Sequence, residues 1–148
     1  MKLIIYTDGA CRGNPGPASY GFTISSEEGK LLHEEGKFIG VTTNNVAEYT
    51  AVLEALKHAQ QEYAPPASPA SRGERGEPAG GLEIELYADS KLVAEQLSGR
   101  YKIKNPRLKA IFEQIKILEL NIGRVFYNHI PRFKNTLADK LANQALDK

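Results

Sequence analysis

The sequence predicts an α/β domain built on one five-stranded mixed β-sheet that is flanked by helices. Three β-like stretches with turn signals between them open the chain, and two further strand-like stretches then alternate with helical segments. A meander of strands followed by β-α-β crossovers forms one mixed sheet, in which the later strands run parallel to the first. With 148 residues, 41% of them hydrophobic, the chain suits a single domain over residues 1–148.

The three opening strands are bounded by turn residues. Lys2–Thr7 is apolar and is followed by an Asp-Gly pair, which is common in turns. Residues 19–25 alternate in polarity, and the pair Glu28-Gly29 after them indicates a hairpin turn. The third strand is predicted over Leu31–Thr42, where Gly36 and Gly40 indicate a bulge or a close approach of another backbone.

Helical and strand patterns alternate in the rest of the chain. A helix is predicted from near Asn45 to Tyr63, because its apolar positions recur every three or four residues. The later elements are predicted as strands over residues 82–88 and 123–129, and as helices over residues 91–97, from Pro106 onward and over residues 135–147.

Residues 65–81 differ in composition from both flanks. They are rich in proline, glycine, alanine and serine and contain no large apolar side chain. Such a segment cannot build a core, and neither flank has enough strands to fold alone. We therefore predict a flexible low-complexity loop within one domain.

Composition excludes several classes of protein. The single cysteine, Cys11, excludes a disulfide scaffold, and no apolar run approaches the length of a membrane span. An acid follows the first apolar residues too early for a secretory signal, so we expect a cytoplasmic protein without membrane contact. No spare apolar helix face is evident, which favours a monomer without an obligate protein partner.

A basic stretch lies in the second half of the chain. Residues 100–134 contain nine lysines and arginines but only two acids, although the net charge of the whole chain is +1. This pattern is typical of a surface that binds a polyanion, but the solvated face of a helix has the same pattern.

Four acids stand where the predicted layout makes a charge costly or conspicuous: Asp8, Glu48, Asp89 and Asp139. Each has a local explanation, since Asp8 suits a turn, Asp89 a helix N-cap, and Glu48 and Asp139 capping boxes. However, Glu48 and Asp139 share helix faces with small apolar residues, and Asp8 and Asp89 end strands that are predicted to be adjacent and parallel. The four would then converge at one place.

Converging carboxylates predict a cation site. Like charges at short range remain ionised only when cations neutralise them, and a set of oxygen ligands selects Mg²⁺ or Mn²⁺ over softer metals. Two such ions about 4 Å apart suit in-line displacement at a phosphodiester. The constellation therefore indicates metal-dependent phosphodiester hydrolysis.

Several strings along the chain match one family. They are residues 6–11 (YTDGAC), 13–17 (GNPGP), 43–48 (TNNVAE) and 88–90 (ADS), followed by His129, Asn135 and the pair at residues 138–139 (AD). With these strings in this order, the sequence resembles a type 1 ribonuclease H. The resemblance implies a ribonuclease H-like fold and an endonuclease that uses two Mg²⁺ ions, or Mn²⁺, to cut the RNA strand of an RNA/DNA hybrid. The products would end in 5′-phosphate and 3′-hydroxyl groups.

The resemblance also implies roles for individual residues. Asp8 would bridge the two metal ions, Glu48 and Asp89 would hold the ion beside the leaving group, and Asp139 would hold the ion beside the attacking water. His129 would assist proton transfer or product release. The side chains implied to contact the hybrid are Cys11, Asn14, Thr43, Asn44, Asn45, Ser90, Lys91 and Asn135.

The sequence departs from the family pattern at three places. Val46 stands where well-known members have an arginine, and Lys91 where they have a glutamine. Residues 99–106 form a short turn without tryptophan, whereas many members insert an extra helix and a basic handle there. We therefore expect no handle helix, partial replacement by Arg100, Lys102, Lys104 and Arg107, and weaker hybrid binding that depends steeply on salt.

Three other functions remain open from the residues. A nuclease of the same fold could act on double-stranded RNA, and a catalytically silent module could bind hybrids without cutting them. An acidic Ca²⁺-binding protein would need alternating acids around a glycine in one loop, and this spacing is missing.

Overall fold

The computed structural model describes residues 1–64 and 81–147, and the elements follow one another in the predicted order. The strands are β1 (Lys2–Cys11), β2 (Gly16–Ser26), β3 (Leu31–Thr42), β4 (Leu82–Ala88) and β5 (Gly123–His129). The helices are α1 (Asn44–Tyr63), α2 (Lys91–Leu97), α3 (Pro106–Ile122) and α4 (Thr136–Leu146), and a short 3₁₀ turn (Arg132–Lys134) joins β5 to α4. Apart from Gly81, the predicted loop over residues 65–81 lies outside the described residues.

The five strands form one mixed sheet in the order β3-β2-β1-β4-β5. β1 pairs antiparallel with β2, and β2 pairs antiparallel with β3. β4 and β5 run parallel to β1, as the crossover pattern predicts. The carboxyl ends of β1 and β4 therefore lie side by side at one edge of the sheet.

The first hairpin is longer than the sequence predicts. β1 does not end before the Asp-Gly pair but continues to Cys11, because Asp8 pairs with Gly21 and Cys11 with Ala18 of β2. The prediction of a turn at Asp8 is therefore wrong. Pairing with β2 outweighs the local turn preference, and it fixes Asp8 within regular β-structure.

The main core lies between the sheet and α1. The buried side chains of the sheet that face this helix alternate along the strands, and α3 packs against α1 on the same side. The largest fully buried members are Leu3, Ile5, Phe22, Ile24, Tyr49, Leu56, Ile84, Leu86, Leu97, Ile115 and Ile122. This core holds α1, and the acid near its amino end, against β1.

The other face of the sheet is covered by α4 over β1, β2 and β3. Asp8, Gly21 and Gly36 form one row across these three strands, and both glycines lie directly under the helix. A Cβ on Gly21 would lie 2.6 Å from the backbone nitrogen of Ala142 and would also collide with the carbonyl of Ala138. Gly36 therefore serves a close backbone approach, as predicted, while Gly40 adopts a φ of +89° beside a bulge in the β2–β3 ladder.

Two further expectations concern helices. Residues 98–105, which join α2 to α3, contain no helix, so the absence of the extra handle helix is confirmed for this described segment. No helix within residues 1–64 and 81–147 has both the length and the apolar character that crossing a membrane requires.

Candidate active site

Three of the four predicted acids meet at the carboxyl edge of the sheet. Asp8 lies on β1, Glu48 on the second turn of α1, and Asp89 directly after β4. Each offers a carboxylate oxygen, and these oxygens all lie within 4.8 Å of one another. Asp8 is 1% exposed and Glu48 is 4% exposed, whereas Asp89 is only partly buried. We call Asp8, Glu48 and Asp89 the carboxylate triad.

The local explanations for these acids do not hold in the structure. The hydroxyl of Thr43 caps α1 by accepting a hydrogen bond from the Val46 backbone nitrogen, at 3.3 Å. The hydroxyl of Ser90 caps α2 in the same way. Neither Glu48 nor Asp89 is therefore needed as a helix cap, and both side chains are left for the triad.

A close approach of strand and helix creates the buried position of Glu48. Gly9 follows Asp8 on β1, and a Cβ there would lie 2.5 Å from the backbone carbon of Ala47 on α1. The same Cβ would lie 2.4 Å from the Glu48 backbone nitrogen, so the absence of a side chain lets α1 bring the Glu48 carboxylate next to that of Asp8. A residue with a side chain at this position would prevent the close approach of α1 to β1 on which the triad depends.

Burial and mutual repulsion make the triad costly without a cation. Burial, followed by the charges of Glu48, Asp89 and Asp139, raises the pKa of Asp8 to about 10. Burial and the Asp89 charge raise the pKa of Glu48 to about 8, although hydrogen bonds from Asp8 and Gly9 and the charge of Arg132 act in the opposite direction. Asp8 Oδ2 and Glu48 Oε2 are buried without a hydrogen-bond partner. Partnerless carboxylate oxygens around one point fit a hard divalent cation.

The fourth acid, Asp139, stands at the edge of the triad on α4. It interacts with Asp8 and contributes to the raised pKa of that residue. Its own carboxylate accepts a hydrogen bond from Asn143 Nδ2 at 3.2 Å and lies 3.5 Å from Arg132 Nη2. Its side chain is partly exposed, so Asp139 faces both the triad and the solvent.

Asn135 connects three parts of the site. It is 1% exposed, and its Nδ2 donates to the Thr7 carbonyl at 2.8 Å and to Asp89 Oδ2 at 3.4 Å. The residue precedes α4, so these bonds attach the start of that helix to β1 and to the triad. Its place indicates that it holds the site together from within.

The other predicted site residues differ in their contacts and in their exposure to solvent. The backbone nitrogen of Asn44 donates to Asn14 Oδ1 at 3.0 Å, which joins two predicted substrate contacts on an exposed surface. The Cys11 thiol lies 3.2 Å from the Thr42 carbonyl and bridges β1 to β3. Lys91 and His129 are exposed, Asn45 is half-buried, and Thr43 and Ser90 are the helix caps described above.

Arg132 belongs to the site but was not among the predicted site residues. In the sequence it is only one of nine basic residues in a long stretch. The signal that could have identified it is its place in the short connection that also contains His129 and Asn135. Its side chain is 77% exposed and reaches Asp139 from the 3₁₀ turn.

The chain matches a family model described as RNase H over residues 1–147. A bifunctional protein of Mycobacterium tuberculosis is 39% identical over 148 residues, which cover 99% of this chain and 36% of that protein. The ribonuclease HI of Halobacterium salinarum is also 39% identical, over 99% of this chain and 65% of that protein. The chain thus spans only part of the length of these relatives.

Solved structures show the same architecture. The crystal structure of LC11-RNase H1 in complex with an RNA/DNA hybrid has a TM-score of 0.85 and 41% identity, covering 98% of this chain and 96% of that one. The RNase H1 of Halobacterium salinarum has a TM-score of 0.84 and 36% identity, covering 99% and 98%.

Proposed function

Because this chain belongs to the RNase H family, we propose that it is an endonuclease that hydrolyses the RNA strand of RNA/DNA hybrids. The observation that supports this best is the carboxylate triad, in which Asp8 Oδ2 and Glu48 Oε2 are buried without a hydrogen-bond partner. The hybrid bound to the similar LC11-RNase H1 supports the choice of substrate. The products would be 5′-phosphate and 3′-hydroxyl ends.

We propose that the triad and Asp139 hold two divalent cations, either Mg²⁺ or Mn²⁺. The donor set supports this choice, because it consists of carboxylate oxygens only. When bound, such ions activate the attacking water and stabilise the leaving oxygen of the phosphodiester. Asp8 is the least exposed of the four acids and interacts with Glu48, Asp89 and Asp139, so it would be the central ligand of this site.

The protein's own residues would place the substrate and move protons. Asn135 links the start of α4 to the Thr7 backbone and to Asp89 by hydrogen bonds, and this would fix the position of Asp139 relative to the triad. His129 is exposed at the end of β5, next to Ala88 in the strand register, and can reach solvent to exchange a proton. Thr43 at the amino end of α1 would receive a phosphate of the DNA strand.

The hybrid would lie across the surface formed by Cys11, Asn14 and Asn44. The hydrogen bond from the Asn44 backbone N–H to Asn14 Oδ1 holds the Asn14 side chain near the start of α1, on the same edge of the sheet as the triad. Contacts with the 2′-hydroxyl groups in the minor groove would distinguish RNA from DNA there. Ser90, Lys91 and Asn45 complete the set of proposed contacts.

Cleavage of an end-labelled RNA strand tests the proposed function. The RNA is paired with DNA or with RNA and is incubated with the protein in chelator, Mg²⁺ or Mn²⁺. We expect metal-dependent cutting of the hybrid that leaves 3′-hydroxyl ends. Preferential cutting of the RNA duplex would favour the alternative substrate, and hybrid binding without cutting by the folded protein would favour a silent binding module.

Hybrid affinity should depend steeply on salt. Arg100, Lys102 and Lys104 are exposed in the connection between α2 and α3, where they can contact phosphates without a handle helix. Affinity falls as salt rises, and each phosphate contact makes the slope of log affinity against log salt steeper by about 0.9. Replacing Lys102 and Lys104 together by alanine should make that slope shallower by about 1 to 2. A wild-type slope near zero would contradict this binding mode.

A further inference from the structure

A short basic turn lies beside the carboxylate triad and is fixed to it. The turn Arg132–Lys134 has two backbone hydrogen bonds, from Lys134 to the Pro131 carbonyl and from Asn135 to the Arg132 carbonyl. Asn135 at its end is attached to Thr7 and to Asp89. The backbone of Arg132 therefore has a defined place at the site, while its side chain remains exposed.

The Arg132 guanidinium is the one cationic group within 4.0 Å of an acid of the site, among residues 1–64 and 81–147. Its Nη2 lies 3.5 Å from Asp139 Oδ1, and its charge also reaches Glu48, whose pKa it lowers against the larger effect of burial. A single exposed contact of this length is weak and easily exchanged.

Cation binding would change the surroundings of Arg132. Without cations, Arg132 is the positive neighbour of Asp139, which also faces Asp8. With cations bound to the carboxylates, the ions supply the positive charge beside Asp139 and repel the guanidinium. A freed guanidinium beside a phosphodiester site is suited to bind a phosphate through two parallel hydrogen bonds.

We propose that Arg132 exchanges partners during the reaction cycle: it neutralises Asp139 in the metal-free protein and binds a backbone phosphate of the substrate once cations occupy the carboxylates. The second half of this inference, phosphate binding by Arg132, rests on the proposed nuclease function. Its first half concerns cation binding alone and is testable without substrate. Arg132 would thus act as a substrate-positioning residue that also lowers cation affinity.

The test compares Arg132→Ala, Arg132→Lys and the matched control Arg124→Ala, which removes an exposed charge at the opposite end of β5. Mg²⁺ binding is measured without substrate, from the rise of the thermal unfolding midpoint with Mg²⁺ concentration. For Arg132→Ala we expect half-saturation at a roughly two- to five-fold lower Mg²⁺ concentration, because a repelling charge is gone. Arg132→Lys and Arg124→Ala should bind Mg²⁺ like the wild type.

Steady-state cleavage at saturating Mg²⁺ tests the second half. Arg132→Ala should raise the KM for the hybrid by about tenfold with a much smaller change in kcat, since it removes a binding contact. Arg132→Lys should restore part of the KM, because it keeps the charge but loses the two-bonded geometry. Arg124→Ala should keep the wild-type KM.

Two results would overturn the proposal. Weaker Mg²⁺ binding by Arg132→Ala would mean that the arginine merely holds Asp139 in place. An unchanged KM would mean that it does not contact the substrate. If the wild type itself cut no hybrid, the nuclease function would fall, while the Mg²⁺ titration would still decide whether Arg132 competes with cations.

Discussion

Replacing Asp8 with asparagine should abolish hybrid cleavage and, in the metal-free protein, stabilise the fold. The loss of activity should be at least about 10³-fold, because the variant lacks the central oxygen ligand of the site. The gain in the free energy of unfolding should be roughly 1 to 3 kcal/mol at pH 7. It arises because Asp8, buried beside the charges of Glu48, Asp89 and Asp139, must take up a proton when the chain folds at pH 7, whereas an amide needs none.

The same reasoning gives a dependence on pH. Asp8 and Glu48 have raised pKa values in the folded state, so the folded protein binds more protons than the unfolded chain from about pH 4 up to about pH 8 at Glu48 and about pH 10 at Asp8. The stability of the metal-free protein should therefore decrease as the pH rises through this window. Asp8→Asn should flatten the decrease, because it removes one of the two titrations.

Urea unfolding in chelator and in saturating Mg²⁺ measures both effects. Mg²⁺ should stabilise the wild type strongly and Asp8→Asn much less, since ligands that bind only the folded state stabilise it. Asp147→Asn is the matched control, because Asp147 is an exposed acid at the end of α4 that pairs with Arg12. An Asp8→Asn protein that is less stable than the wild type in chelator would contradict the repulsion account.

A single methyl group on Gly21 should disturb the site from a distance. The added Cβ would collide with backbone atoms of Ala138 and Ala142, which cannot move without the whole of α4. We expect Gly21→Ala to lower the free energy of unfolding by about 1 to 3 kcal/mol, as overpacking does. Displacing Asp139 by about 1 Å should also reduce kcat on the order of 10²-fold in the folded fraction.

Two controls separate this effect from a general loss of stability. Ser19→Ala removes the hydrogen bond from the Ser19 hydroxyl to the Ala142 carbonyl but adds no volume. It should therefore lower the free energy of unfolding without displacing α4, and kcat should stay close to the wild-type value. Glu34→Ala changes an exposed side chain on β3 and should leave both quantities unchanged. Wild-type kcat in Gly21→Ala would show that α4 does not set the position of Asp139.

The order and the limits of most elements could be predicted from the sequence. Periodicity gave the bounds of β4, α2 and β5 to the residue, because these short elements are defined by local pattern and clear turn residues. The end of β1 could not be predicted in this way. Its last residues are strand because they pair with Gly16–Ser26, a contact that no local pattern encodes.

The acids of the candidate site could be predicted from the sequence, but the residues that cap the helices and position these acids could not. Glu48 and Asp89 had plausible roles as caps, and only the structure shows that Thr43 and Ser90 take these roles instead. The burial of Asn135 and the contact of Arg132 with Asp139 both depend on the backbone path of the short 3₁₀ turn between β5 and α4. In α4, the buried residue next to Gly21 is the small Ala138, whereas the larger apolar residue Leu137 is 41% exposed.

The bond from Asn135 to the Thr7 carbonyl joins residues that are 128 positions apart. During synthesis on a ribosome, Asp8 and Glu48 emerge first, together with the three antiparallel strands and α1. Asp139 and the turn that orients it emerge near the end of the described chain. A growing polypeptide that ends before α4 therefore has at most three of the four carboxylates, and the proposed cleavage of RNA has to wait until α4 has emerged and packed on the sheet.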